Sequence, residues 1–270
     1  MKWLIQEFIN SGSNYQRMVQ ALDSLSIDYL IVSIDQNNKL WVVEKESKTF
    51  LDDSQLILEE FISNSDVMVY GSKTFAIIAQ NMNLNPGSFM TDNFEFEVLR
   101  EQFGKELLNY EFMVGDLFSL EPAWDSFFIR PTGNTKLFTG MAITLPEFNE
   151  WRERESVPNS RYQGAKLMIA PTCKIDAEYR FFVVDGKIVT GSSYKVRESI
   201  DTSVNPSKEI VEYTKRMVDL FPLARAYVID IAETPDGYKI IECNNINSSG
   251  LYNCDEYEFI KAINNMKMSV

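Results

Sequence analysis

The stretch Tyr227–Asn245 limits what this 270-residue chain can fold into more than any other. Two apolar runs, Ala226–Ala232 and Tyr238–Cys243, flank Thr234-Pro235-Asp236-Gly237. Apolar runs around turn residues predict an antiparallel hairpin. Alternate residues of a strand share a face, so Glu242 and Asn244 lie together. A three-residue loop, Pro235 to Gly237, sets Thr234 opposite Tyr238 and Asp230 opposite Glu242, with Cβ atoms roughly 5 Å apart. A two-residue turn shifts that register and misaligns the pair. Facing carboxylates repel unless one is protonated or a cation lies between them. With Asn244 as a neutral donor two residues on, the pattern is an oxygen-only half-site suited to Mg²⁺, which takes one or two carboxylates plus substrate phosphates. A half-exposed sheet with polar residues toward solvent gives the same pattern, and both readings stand at this point.

Composition narrows the chemistry. The chain has no histidine, which excludes Ser-His-Asp and Cys-His nucleophile pairs and zinc sites built on imidazole. Acid–base work falls to carboxylates, Lys, Tyr or Cys, and a catalytic metal would be a hard cation held by oxygen. The three cysteines, Cys173, Cys243 and Cys254, are odd in number and have no C-x-x-C spacing, which argues against a disulfide framework and fits a reducing compartment. Polar residues interrupt Met1–Glu7 too early for a signal peptide, and no run reaches the ~20 apolar residues of a membrane span. These features predict a soluble cytoplasmic protein that does not engage membranes. A net charge of −13 disfavours duplex nucleic acid and anionic lipid, yet is compatible with a nucleotide in a local basic pocket.

Periodicity divides the chain in two. Strands at 2–8, 27–34, 40–43 and 67–70 alternate with helices at 13–25, capped by Asn14, and at 54–62 and 74–82. This predicts a small α/β domain over 1–87 with a largely parallel sheet, ending at the turn Asn85-Pro86-Gly87. Residues 88–270 change character. Helices are expected at 94–103, 146–155, 206–221 and 255–266, among hairpin-linked strands. Asp185-Gly186 between two apolar runs is a strong hairpin signal. This half reads as α+β.

Two further constellations carry charge. In Glu178-Tyr179-Arg180-Phe181-Phe182, Glu178 and Arg180 share a face. An Arg among apolar strand residues pairs with an acid such as Glu178 or another carboxylate, or with an oxyanion that suits its forked donors. Phe128-Ile129-Arg130-Pro131 leads into a loop from Gly133 to Lys136, then Phe138-Thr139-Gly140. Such a loop can cradle phosphate through backbone N–H groups, although no Walker A sequence is present.

Three motifs occur in order: F-F-I-R-P-T-G-N-T-K-L-F-T-G at 127–140, E-Y-R-F-F-V-V-D-G-K-I-V at 178–189, and V-I-D-I-A-E-T-P-D-G-Y-K-I-I-E-C-N at 228–244, continuing to Tyr252. Residues 89–266 thereby resemble an ATP-grasp ligase, in particular the RimK-related ATP-grasp proteins common in phage genomes. The resemblance implies an α+β ATP-grasp fold, two subdomains gripping ATP, preceded by the α/β domain. It implies Asp230, Glu242 and Asn244 as Mg²⁺ ligands and Arg180 as the catalytic residue on the transferred phosphoryl group. Lys166, Met168, Ile169 and Ala170, in a linker at about 166–171, would line adenine, largely by backbone contacts. Arg130 stands where many relatives carry a phosphate-binding Lys, and Lys136 is the other candidate for that charge. Glu178 would meet the ribose or orient Arg180, and Asn247 and Ser248 would face the acceptor end of the cleft. The activity implied is ATP-dependent joining of a carboxylate to an amine or thiol through an acyl phosphate. A nucleotide-binding protein without turnover and an acidic interaction protein are the alternatives.

Overall fold

The computed structural model describes residues 1–7, 13–132, 137–196 and 199–267. The first layer comprises β1 (Lys2–Gln6), α1 (Ser13–Ser24), β2 (Tyr29–Ile34), β3 (Leu40–Val43), α2 (Ser54–Ile62), β4 (Val67–Tyr70), α3 (Lys73–Asn81) and a short β5 (Pro86–Gly87). Its sheet runs β3-β2-β1-β4-β5 and is parallel except for β3. Val67–Tyr70 is buried at every position, as expected of a parallel strand covered on both faces. Two local expectations change. Asn14 lies inside the first turn of α1 and does not cap it. The second strand begins at Tyr29, two residues later than the apolar pattern suggests. Ser26 takes φ 53° and the Ile27 N–H bonds back to Leu22 O at 3.0 Å, closing α1 with the residues expected to open β2.

The second half begins with α4 (Phe96–Phe103) and continues through β6 (Met113–Gly115), β7 (Ser126–Pro131), β8 (Met141–Thr144), α5 (Leu145–Arg154) and β9 (Leu167–Pro171). These strands form an antiparallel sheet, β6-β9-β7-β8. Helix α5 starts at a capping box: Thr144 accepts from the Glu147 N–H, and Glu147 accepts from the Thr144 N–H at 2.9 Å. Then follow β10 (Ala177–Val184), β11 (Lys187–Val196), β12 (Ser199–Ile200), α6 (Lys208–Leu220), β13 (Ala226–Thr234), β14 (Gly237–Asn245) and α7 (Glu256–Asn264). Their antiparallel sheet runs β12-β11-β10-β13-β14. Asp185 and Gly186 form the β10–β11 turn with φ of 45° and 73°, the two positive values a type I′ turn requires.

The five-stranded antiparallel sheet buries apolar side chains on both faces. Tyr179, Phe181, Val183, Ile229 and Cys243 pack against α4 and α6. On the other face, Phe182, Val184 and Val228 pack with α7 and with Trp3, Met18, Leu22 and Tyr70 of the first layer in one continuous core. The turn at 85–87 is therefore no break in packing. A third core fills the space between α5 and the four-stranded sheet, around Phe127, Ile129, Phe148, Trp151 and Ile169.

The β13–β14 hairpin corrects one expectation while preserving its consequence. The turn has two residues, with Thr234 opposite Gly237 and Glu233 opposite Tyr238. This register alone would misalign the carboxylates. An irregularity between Asp230 and Ile231 lets Ile241 bulge from β14, and Asp230 then stands opposite Glu242.

Candidate active site

Arg180 on β10 and Asp230 on β13 are direct cross-strand neighbours. Arg180 Nε donates to Asp230 Oδ1 at 2.9 Å and Nη2 to Oδ2 at 2.7 Å, a forked pair that is almost wholly buried. The remaining donor, Nη1, reaches the Gly250 carbonyl at 3.2 Å. Tyr194 and Tyr252 stack with ring centroids 4.9 Å apart, and the guanidinium lies 5.5 and 5.0 Å from their centres. Glu178 therefore does not pair with Arg180. It accepts from the Tyr194 hydroxyl at 2.5 Å and the Lys195 ammonium at 3.1 Å. The reason is register: Asp230 stands directly across from Arg180, whereas Glu178 is two residues along the same strand.

Glu242 faces the second arginine. Arg130 Nη1 on β7 donates to Glu242 Oε2 at 2.8 Å across the gap between the two sheets, and Asn244 Nδ2 donates to Oε1 at 2.8 Å. Arg130 also lies 5.1 Å from the Phe96 ring centre. Thus Asp230 and Glu242 face each other with each charge met by its own arginine. Burial raises the Asp230 carboxyl above its usual range against the pull of Arg180, and Glu242 and Glu178 push the same way. Burial also acts to raise Glu242, but Arg130 and the Asn244 amide outweigh it and hold that carboxyl low. Burial acts to discharge Arg180, and the Asp230 carboxylate reverses this and keeps it protonated.

Arg130, Glu178, Tyr194 and Glu242 border a cleft of about 840 Å³, with Phe128 and Gly140 also in its walls, whereas the buried Arg180 and Asp230 line neither this cleft nor the side cavity beside it. Ser72, Lys73 and Thr74, at the start of α3, form the wall given by the first layer. A side cavity of about 150 Å³ adjoins it, lined by Asn244, Asn245 and Ser248, and shares Lys73, Arg130 and Glu242.

The expected nucleotide contacts divide. Met168 and Ala170 are fully buried on the face of β9 shared with Phe128 and Arg130, in a cluster with Phe112. Ile169 points into the core on the far side of that sheet. Lys166 is exposed and lines neither cavity; its carbonyl accepts from the Thr132 N–H at 2.9 Å. Lys136, with the rest of the 133–136 loop, lies outside the described residues. Ser248 lines the side cavity, but Asn247 does not. The Asn247 side chain is spent on the first layer: Nδ2 donates to Val69 O at 2.6 Å and Gly87 O at 3.0 Å, and Oδ1 accepts from the Phe89 N–H at 2.9 Å. Sequence reasoning missed Lys73, Tyr194, Lys195 and Tyr252. For Lys73 a signal existed, since Gly71-Ser72-Lys73-Thr74 joins a buried strand to a helix, where N–H groups point outward.

Among the described residues no three His, Cys, Asp or Glu side chains gather into a cluster. Asp230, Glu242 and Asn244 offer two carboxylates and an amide. This all-oxygen set fits a hard divalent cation in its chemistry.

Two antiparallel sheets that flank a cleft, with a mostly parallel α/β layer packed beside them, form the ATP-grasp class of fold. Residues 99–263 match the family described as ATP-grasp domain, R2K clade family 3, and the chain belongs to that family. No curated protein matches the sequence. Among solved structures, the D-alanine-D-alanine ligase from Coxiella burnetii is similar over 97% of this chain and 89% of its own, with TM-score 0.60 and 12% identity. D-cycloserine synthetase DcsG is similar over 97% of both chains, with TM-score 0.61 and 10% identity. The ATP-grasp ligase PsnB, complexed with minimal precursor, is similar over 97% of both, with TM-score 0.56 and 12% identity. At such identities the likeness is one of fold. Its extent brings the first layer into the shared fold together with the two sheets of the cleft. Among the described residues no helix is long and apolar enough to cross a membrane.

Proposed function

We propose that the protein is an ATP- and Mg²⁺-dependent ligase that activates a carboxylate as an acyl phosphate and joins it to an amine or a thiol. The observation that carries this reading is the Arg130–Glu242 pair in the cleft wall, with the buried Arg180–Asp230 fork directly across the strands from Glu242. In the reaction a carboxylate oxygen attacks the γ-phosphorus of ATP and ADP leaves. The amine nitrogen then attacks the acyl carbon, phosphate departs and an amide forms, while the amine's proton passes to solvent. No side-chain nucleophile is required, so a chain without histidine suffices. Such catalysis is mainly positioning and charge neutralisation.

Asp230, Glu242 and the Asn244 amide oxygen would hold Mg²⁺, whose chemistry there is neutralisation of phosphate charge. Arg130 releases Glu242 for that task, and its freed guanidinium becomes a phosphate ligand. Arg180 keeps Nε and Nη2 on Asp230 and turns Nη1 toward the transferring group. Glu178, fixed by Tyr194 and Lys195, orients the nucleotide from the same strand. Adenine would lie along 166–171, against the face carrying Met168 and Ala170. The finer kinship with RimK-related proteins of phages rests on the three sequence motifs and belongs to the same proposal.

Calorimetry with ATP and Mg²⁺, and ADP release across a panel of amino acids and short peptides, test this reading. Saturable Mg²⁺-dependent binding that fails in Glu242→Gln, together with acceptor-dependent ADP, is the expected result. Binding without ADP release across the panel would favour a silent nucleotide binder. No saturable binding at all would favour the acidic interaction protein.

A further inference from the structure

We propose that Arg17, on α1 of the first layer, is a positioning residue for Arg180 and acts through the backbone of Tyr252. The starting observation is strain. Tyr252 has φ 50°, in the left-handed region that a bulky side chain occupies only at a cost. It is the one aromatic among the described non-glycine residues with positive φ. Glycine takes this conformation freely, whereas a strained residue persists only where its surroundings hold it. Arg17 is that hold. Its Nη1 donates to the Tyr252 carbonyl, and its Nη2 donates to Cys254 O at 2.6 Å and to the Glu256 carboxylate. One guanidinium thereby fixes both carbonyls that flank Asn253, with bonds strengthened by its charge. The Cys254 N–H also bonds Leu251 O at 2.9 Å and the Asn253 N–H bonds Ser192 Oγ at 3.3 Å, but neither contact engages a polar group of Tyr252.

What the strain holds in place is a ring. The Tyr252 ring stacks on that of Tyr194 at 4.9 Å with 17° between the planes, and its centre lies 5.0 Å from the Arg180 guanidinium. Asp230 fixes Arg180 Nε and Nη2, and the loop sets the rest: Gly250 O takes Nη1 at 3.2 Å and Tyr252 backs the guanidinium. Tyr194 carries the arrangement on to the cleft wall, where its hydroxyl donates to Glu178. If φ of residue 252 relaxes to a negative value, the side chain leaves the backbone in another direction, which breaks both the stack and the cation–π contact. This inference rests on the ligase reading for its effect on turnover but not for its structural test.

Proton–nitrogen NMR of the full chain with labelled arginine reads the Arg180 Nε–H without any nucleotide, and the resonance is assigned by its absence in Arg180→Lys. The two rings beside the guanidinium shift that resonance by their ring currents. Tyr252→Leu, Arg17→Met and Arg17→Lys are expected to move it in one common direction, and Tyr252→Phe to leave it in place because the ring remains. Arg17→Lys keeps a charge for Glu256 and the fold, but an ammonium lacks the fork that spans both carbonyls. Glu256→Gln removes only the ion pair and should leave the resonance unmoved. Melting temperatures test the strain. Arg17→Met should lower that of wild type by several degrees, and that of Tyr252→Gly by less than about half as much, since glycine needs no hold. An unmoved Arg180 resonance in both Arg17 variants, or equal melting losses in the two backgrounds, shows that Arg17 serves packing alone and overturns the proposal. With ATP and an accepted substrate, Arg17→Lys should lower kcat for ADP formation about tenfold while KM for ATP stays within about threefold, and an effect on KM alone also overturns it. If wild type releases no ADP with any acceptor, the ligase reading falls, and the resonance and the melting temperatures still decide whether Arg17 positions Arg180.

Discussion

Arg180 is both a buried structural partner and the candidate catalytic cation, and its substitutions can separate the two roles. Removing one member of a buried pair leaves an uncompensated charge, so Arg180→Met should destabilise by about 3–5 kcal/mol in denaturant unfolding. Arg180→Lys keeps the charge but not the fork. It should retain more stability, bind ATP within about tenfold of wild type, and still lose ~10² in ADP formation, about 2.7 kcal/mol of transition-state stabilisation. Full activity in Arg180→Met would leave only the structural role. Sequence alone suggests that neutralising Asp230 or Glu242 relieves a repulsion. The arginines reverse that sign, because Asp230→Asn strands a buried guanidinium and lowers stability. The cysteines give a second test at this scale. Cys254 is buried, and burial pushes its thiol up to about 11. Below the ordinary thiol pKa of about 8.5 its contribution to stability is whole. As pH rises from there toward 11, the unfolded chain ionises first and stability falls, by about 1.4 kcal/mol per pH unit. Alkaline unfolding of Cys254→Ala against wild type measures that slope. Iodoacetamide at pH 8 should label exposed Cys173 and spare buried Cys243 and Cys254 until unfolding.

At the scale of elements, turns and bulges set which side chains meet. The β10–β11 turn needs positive φ at Asp185 and Gly186, so Gly186→Val should cost about 1–2 kcal/mol. The turn lies at the far end of β10 from Glu178 and Arg180. The loss should therefore appear in the denaturant midpoint while Mg·ATP affinity holds, and a large fall in affinity would mean that the turn acts on the cleft. Much of the fold was legible because local pattern encodes it: Leu40–Val43, Ser54–Ile62 and Val67–Tyr70 follow from apolar periodicity residue for residue. Short strands such as Met113–Gly115 have too few residues to show a period. The Asp230–Glu242 pair was legible in outcome but not in route, since the sequence does not announce a bulge at Ile241. The Arg180–Asp230 fork was out of reach. It joins strands 50 residues apart, and no local rule fixes a register over that separation.

At the scale of the molecule, the first layer is tied to the strand that carries the metal-ligand candidates. The 3₁₀ turn Ile246–Ser248 follows directly from β14, and Asn247 within it bonds Val69, Gly87 and Phe89. Tyr70 adds a bond from its hydroxyl to Ser249 O at 2.7 Å. Combined with the shared core around Phe182 and Phe259, these bonds make the first layer and the five-stranded sheet one body. The wall at Lys73 is thereby held at fixed distance from Glu242 and Asn244. The four-stranded sheet meets Glu242 through the Arg130 ion pair. Asn247→Ala strands two carbonyls and one N–H in a buried place, so it should cost about 3 kcal/mol, near 1 kcal/mol for each lost bond. Tyr70→Phe, which loses one bond, should cost about 1 kcal/mol. Hydrogen exchange locates the effect: the Phe89 amide should exchange far faster in Asn247→Ala, and the Gly71 amide, bonded to the Asn247 carbonyl, should follow it. If the layers are one body, thermal unfolding of wild type is a single transition, and Asn247→Ala splits off an earlier one carrying the signal of Trp3 and Trp41 in the first layer. A single transition at a lower temperature, with Phe89 still protected, would show that the common core alone holds the layers together and that Asn247 only adds to it.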